Sequence, residues 1–148
     1  MNTSVSASGA RLNSSSHATL ANFAEVAARF LLSLLFLLSG FGKLSAYAAT
    51  GGYMAAMGVP AFLLPVVIAT ELLGGLSIVL GWKTRIVAFL LAGFTLLTAL
   101  IFHRNFADQT QMIMFLKNLS IAGGFLLLVV NGAGPLSLDG RAARKRAS

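Results

Sequence analysis

Four predominantly apolar runs, each 17 to 19 residues long, decide what this chain can fold into. They extend from about Phe23 to Phe41, Phe62 to Leu80, Ile86 to Phe102 and Met112 to Val130. A helix rises about 1.5 Å per residue, so each run can cross a hydrocarbon layer of about 30 Å. In lipid the backbone must satisfy its own polar groups, and a helix does so within one segment. A transmembrane barrel would need alternating strands of about ten residues, and nothing here alternates. A water-soluble bundle would need a polar face on each helix. Phe30 to Leu38 and Ile86 to Ile101 have none. The expected fold is therefore all-α: a membrane-spanning four-helix bundle.

Charge supports that reading. Only 10% of the residues are charged, where a soluble domain carries about 25%. The mean hydropathy is +0.83. The net charge of +7 does not mark a nucleic-acid protein, because the cations flank apolar runs instead of forming a patch on a polar domain. They suit the cytoplasmic headgroups of a lipid bilayer. There is no cysteine, which rules out thiolate chemistry and iron–sulfur ligation by this chain. Two histidines, His17 and His103, cannot build a three-histidine metal site in one copy.

The expected organisation has three parts. Residues 1–22 form a disordered polar tail, too poor in apolar residues to be a signal peptide. Residues 23–138 form the bundle, and residues 139–148 a basic tail. Between the first two runs, Ser45 to Pro60 carries two glycine turns, Gly51-Gly52 and Gly58-Val59-Pro60, and reads as an interfacial segment. Asn131-Gly132-Ala133-Gly134-Pro135 ends the last run. With four crossings, the first residues, the 81–85 turn and the last residues share one side. That side holds eight of the eleven Lys and Arg residues. The positive-inside rule then places both termini in the cytoplasm.

A few polar residues interrupt the runs, and these are the candidate site. Glu71 lies near the middle of the second run. A charge at mid-membrane costs at least about 2.5–3.5 kcal/mol unless it is paired or hydrated, so Glu71 should face the bundle interior. Lys117, entering from the other side, is the expected partner. The alternatives are a Lys117 that snorkels outward and a neutral, hydrogen-bonded Glu71. His103 reads as an interfacial anchor, or as a group for proton exchange or a hydrogen bond to a quinone-like head group. Lys43 reads as a helix-end anchor. Glu25 and Arg29 are four apart on one helix and can pair. Together Lys43, Glu71, His103, Lys117 and Asn118 could form one polar cluster at the outer half of the bundle. Small residues four apart, such as Thr70 and Gly74 or Ala88 and Ala92, point to close helix packing. No dinucleotide fingerprint, P-loop, metalloprotease motif or catalytic triad grouping occurs.

Several of these segments resemble the DoxX family of small bacterial four-helix inner membrane proteins. The resemblance spans about Arg29 to Gly140 and rests on Arg29, Ser39-Gly40, Lys43, Gly58-Val59-Pro60 and Glu71 with Gly74. Its most specific parts are Phe115 to Gly124, which contains Lys117-Asn118, and Gly134-Pro135-Leu136-Ser137-Leu138-Asp139. The resemblance implies a cytoplasmic-membrane bundle in which Arg29, Lys43, Glu71, His103, Lys117 and Asn118 occupy family positions. It also implies an accessory subunit of a quinone-linked redox system, with a membrane or soluble oxidoreductase as partner and a homo-oligomer as an option. A small transporter using Glu71, or a scaffold that recruits a soluble partner through its basic tail, are the other classes left open.

Overall fold

A computed structural model describes the backbone from Thr3 to Ser148 and the side chains from His17 onward. Helix α1 spans Thr3–Ser45 and α2 Tyr47–Ala56. A short 3-10 turn, Ala61–Leu63, leads into α3, Leu64–Leu80. Then come α4, Thr84–Phe102, α5, Gln109–Asn131, and α6, Leu138–Ala147. Four stretches are long and apolar enough to span a membrane: His17–Ser45, Ala61–Leu80, Thr84–Phe102 and Gln109–Asn131. No strand occurs among the described residues.

Three boundaries differ from the sequence expectation. The first two residues of the tail expected over residues 1–22 lie outside the described residues; its backbone from Thr3 to Asn22 belongs to α1. No Gly or Pro stands between residues 10 and 39 to stop that helix. Gly51-Gly52 makes no turn but sits inside α2. Ala48, Ala49, Ala55 and Ala56 share the helix with the pair, and Gly51 is buried where a Cβ would lie 3.6 Å from Ala61. Only Gly58, at φ +80°, turns that loop. The basic tail is helix α6, started by Ser137, whose hydroxyl accepts from the Gly140 N–H.

Helix α1 packs along α3 and α4 along α5, while α3 and α4 meet over a shorter stretch. Small residues allow these approaches. A Cβ at Gly40 would lie 2.7 Å from Leu72, and one at Gly74 would lie 2.9 Å from Leu91. The central core joins Phe36, Ile78, Ala88, Leu91, Ala92 and Phe125. Phe36 meets Phe125 edge to face with ring centroids 5.3 Å apart. Outward-facing Leu31, Leu73, Phe89 and Leu127 remain more than half exposed. In water such surface would be a liability. In a bilayer it is the lipid contact.

One end of the bundle is stapled by polar groups. Arg29 on α1 is buried and donates to the carbonyls of Val79 at 2.8 Å and Leu136 at 2.7 Å, with a longer contact to Ile78 at 3.4 Å. It thereby ties α1 to the end of α3 and to the segment after α5. Glu25 and Arg29 make no direct ion-pair contact: the guanidinium turns to those helix-end carbonyls and the Glu25 carboxylate packs against Gly134, so the two charges interact only at longer range. Gly81 ends α3 in the left-handed region at φ +66°, and a Cβ there would collide with Ser137 and Arg29. Gly81→Ala is therefore expected to cost about 2–4 kcal/mol, from the left-handed penalty plus overpacking. The check is a thermal unfolding curve of the purified protein in mild detergent.

Asp139, in the first turn of α6, caps a helix more than fifty residues away. Its carboxylate accepts from the Lys83 N–H at 2.9 Å and the Thr84 N–H at 2.8 Å, at the start of α4. Its own N–H donates to the Gly81 carbonyl at 2.9 Å. Partial burial pushes this carboxyl up, but the hydrogen bonds from Thr84 and Lys83 and the nearby Arg29 charge outweigh it and hold it below its ordinary value. The folded-state value is thus depressed relative to the unfolded chain. Its stabilising contribution is complete above the ordinary carboxylate range and is lost as pH falls through the lower, folded-state value. Asp139→Asn should remove that acid dependence and cost about 1 kcal/mol at neutral pH. Unfolding curves across an acid pH series, compared between the two proteins, read both effects.

Candidate functional site

The other end of the bundle holds a cavity of about 440 Å³. Five helices build it. Helix α1 contributes Phe36, Ser39 and Lys43, three and four residues apart along one face. Helix α2 contributes Thr50, Tyr53 and Met54; α3 contributes Val67 and Glu71. Helix α4 lines it from Phe94 to Phe102, with His103 just beyond, and α5 closes it with Lys117 and Asn118. Tyr53 stacks on Phe102 at 5.6 Å between ring centroids, which pins α2 against the end of α4.

Glu71 is the fixed charge of this cavity. It stands midway along the Ala61–Leu80 span, with 7% of its side chain exposed. Lys43 donates to both of its carboxylate oxygens, at 2.8 and 2.9 Å. The third ammonium proton goes to Ser39 Oγ at 2.6 Å, and the Ser39 hydroxyl in turn donates to Glu71 Oε1 at 3.1 Å. The triad satisfies all three Lys43 donors. Two opposite charges at such a distance in a low-dielectric setting offset much of each other's desolvation cost. This is the one ion pair among the described residues.

The Glu71–Lys117 pair expected from sequence is replaced by this one. Depth alone suggested Lys117, but partner choice follows helix order: α1 packs along α3, whereas α5 packs along α4. Lys117 is exposed and donates to Met114 Sδ at 3.1 Å. Lys43 does lie in the last turn of α1, but its ammonium turns inward to Glu71.

The structure brings Lys43, Glu71, His103, Lys117 and Asn118 to one cavity. Arg29 stands apart. It precedes Lys43 by fourteen residues on the same helix, which is about 21 Å along the axis. His103 Nδ1 is 2.8 Å from Gln111 Oε1, a hydrogen bond that links the end of α4 to the start of α5. Asn118 Nδ2 donates to the Met114 carbonyl at 2.9 Å. Sequence reasoning missed Tyr53, Thr95 and Thr98. The signal for the threonines was present: two hydroxyls three apart on one face of an otherwise apolar helix. Thr95 donates to the Leu91 carbonyl at 2.7 Å and Thr98 to the Thr95 carbonyl at 3.0 Å, so neither hydroxyl is stranded.

Such a cavity can hold a small amphipathic molecule. Its walls are mainly aliphatic and aromatic, and its few polar groups are fixed in position, the usual make-up of a ligand site of about 300–1,000 Å³. Among the described residues no group of three or more His, Cys, Asp or Glu side chains is placed to hold a metal ion.

Comparison with known proteins agrees with this architecture. The DoxX family profile matches residues 24–104. Inner membrane protein YqjF of Escherichia coli (strain K12) is 54% identical over 112 residues, which cover 76% of this chain and 86% of that protein. Inner membrane protein YphA of the same organism is 43% identical over 122 residues, covering 77% of this chain and 86% of that protein. No solved structure matches the chain at a significant level. The family match, the two relatives and the four spans lead to one statement: this chain belongs to the DoxX family and is a multi-pass inner membrane protein.

Proposed function

We propose that the protein is an accessory subunit of a membrane redox system, and that the cavity receives the head group of a quinone. The observation that carries this reading is a largely apolar cavity whose wall fixes the Ser39–Lys43–Glu71 triad and also presents His103 and the Asn118 amide, whose second Nδ2 proton can meet a carbonyl acceptor. A quinone head is a flat ring bearing carbonyl acceptors, attached to an apolar tail. Aromatic walls at Phe94 and Phe102 suit the ring, and the surrounding lipid suits the tail. The protein would bind and orient the molecule, while a partner oxidoreductase carries the electron chemistry. Both termini lie in the cytoplasm in this reading, because the basic end of the bundle follows the positive-inside rule.

The test uses a short-chain ubiquinone and the purified protein in detergent. Thr98→Phe fills the cavity without touching the triad. We expect the quinone to bind the parent protein at micromolar concentration and to bind Thr98→Phe at least tenfold more weakly, with thermal stability within a few degrees. Equal binding by both proteins, or none by either, would remove the reading.

A further inference from the structure

We propose that the end of the bundle opposite the cavity is a preformed binding face for anionic phospholipid headgroups. Six cations gather there: Lys83 and Arg85 at the start of α4, and Arg141, Arg144, Lys145 and Arg146 on α6, all exposed. Of the four Asp and Glu residues, only Asp139 and Glu25 lie at this end, both within electrostatic reach of Arg29, so the six cations keep a large excess of positive charge. Asp139 is spent on the Lys83 and Thr84 N–H groups, Glu71 on Lys43 and Asp108 on the start of α5. The Glu25 carboxylate packs against Gly134. Among the described residues none of the six cations forms an ion pair.

This positive face is fixed in place and at a defined depth. The Asp139 cap and the Asp139 N–H to Gly81 bond hold the first turn of α6 at the α3–α4 turn. Arg29 holds Leu136, and Arg144 donates to the Pro135 carbonyl at 2.9 Å. The α3–α4 turn closes two membrane spans, so it lies where headgroups lie. The four α6 cations follow Asp139 within seven residues, about 10 Å along that helix.

Apolar side chains stand among the cations. Trp82, Leu136 and Leu138 are 50%, 52% and 40% exposed, and Lys83 lies 5.2 Å from the Trp82 ring centroid. An interfacial Trp and two leucines beside a cluster of cations match a phosphate on a glycerol-linked acyl chain. These side chains lie at headgroup depth, where the glycerol and first acyl carbons of a phospholipid can cover them. This inference uses neither the cavity nor the quinone reading.

The experiment measures lipid retention by the full-length protein in detergent, using native mass spectrometry with equimolar phosphatidylglycerol and phosphatidylcholine. The parent protein should retain phosphatidylglycerol preferentially. Each cation near an anionic surface contributes a factor of about five, so R144S/K145S/R146S should lower that preference by about a hundredfold. Trp82→Ala should weaken retention of both lipids. An equal preference in the parent and the triple variant would overturn the proposal. So would tighter binding of soluble poly-glutamate than of phosphatidylglycerol, which would assign the face to an acidic protein.

Discussion

Lys43→Met is expected to destabilise the protein by about 2–3 kcal/mol, and adding Glu71→Leu is expected to return most of that loss. Breaking a fully buried ion pair costs about 3–5 kcal/mol, because the surviving charge has no partner. The lower figure applies here because 24% of the Lys43 side chain is exposed, so some water reaches the ammonium. The Ser39 hydroxyl can still donate to Glu71 in the single variant, which softens the loss further. The double variant has no charge left to strand, and an apolar pair of similar volume is close to neutral in such settings. Lys117→Met, by contrast, should change stability by less than about 0.5 kcal/mol, since its partner is a thioether at an exposed site. Thermal unfolding of the four proteins in one detergent reads the whole set. A Lys117 variant as damaged as the Lys43 variant would reject the assigned pairing.

Arg29→Met is the second large effect, at about 3–4 kcal/mol. The guanidinium makes two short charge-assisted bonds, to Val79 and Leu136, each worth about 1.5–3 kcal/mol in a partly buried site. These bonds reach carbonyls on two separate elements, and a planar fork spans them where a point charge cannot. Arg29→Lys should therefore recover less than half of the loss. The fault should also be local at first. Losing the Leu136 anchor frees α6, so limited trypsin treatment should cut at Arg141 to Arg146 faster than in the parent protein. Unchanged cleavage together with unchanged unfolding would show that Arg29 does not hold that end.

These two residues show how far a sequence can be read. Glu71 was legible as inward-facing because a charge in lipid has few options. Its partner was not, because two lysines of suitable depth compete and only the order of helices around the bundle chooses between them. Lys43 sits one turn beyond Ser39 on the face that meets α3, and that face is a tertiary property. Arg29 looked like one half of an i,i+4 pair with Glu25. The carbonyls it serves lie fifty and more residues away, so local spacing pointed the wrong way. The spans were legible because length and apolarity suffice to define them. Helix α6 was not, because its anchor is an Asp139 that caps a distant helix. Gly51-Gly52 misled for a related reason: burial against Ala61 keeps that pair helical.

The central claim is that the polar side chains of four lipid-facing helices converge on an internal, water-reachable cavity. The chain contains no cysteine, so single cysteines can report on it without background. Thiols react with maleimides and thiosulfonates through the thiolate, which needs water. In membranes containing the protein, Ser39→Cys, Thr98→Cys and Asn118→Cys are predicted to react with a small water-soluble thiol reagent. Leu73→Cys, Leu90→Cys and Leu127→Cys, on the outer surface, are predicted to stay unlabelled. Labelling of the second set with protection of the first would contradict the account.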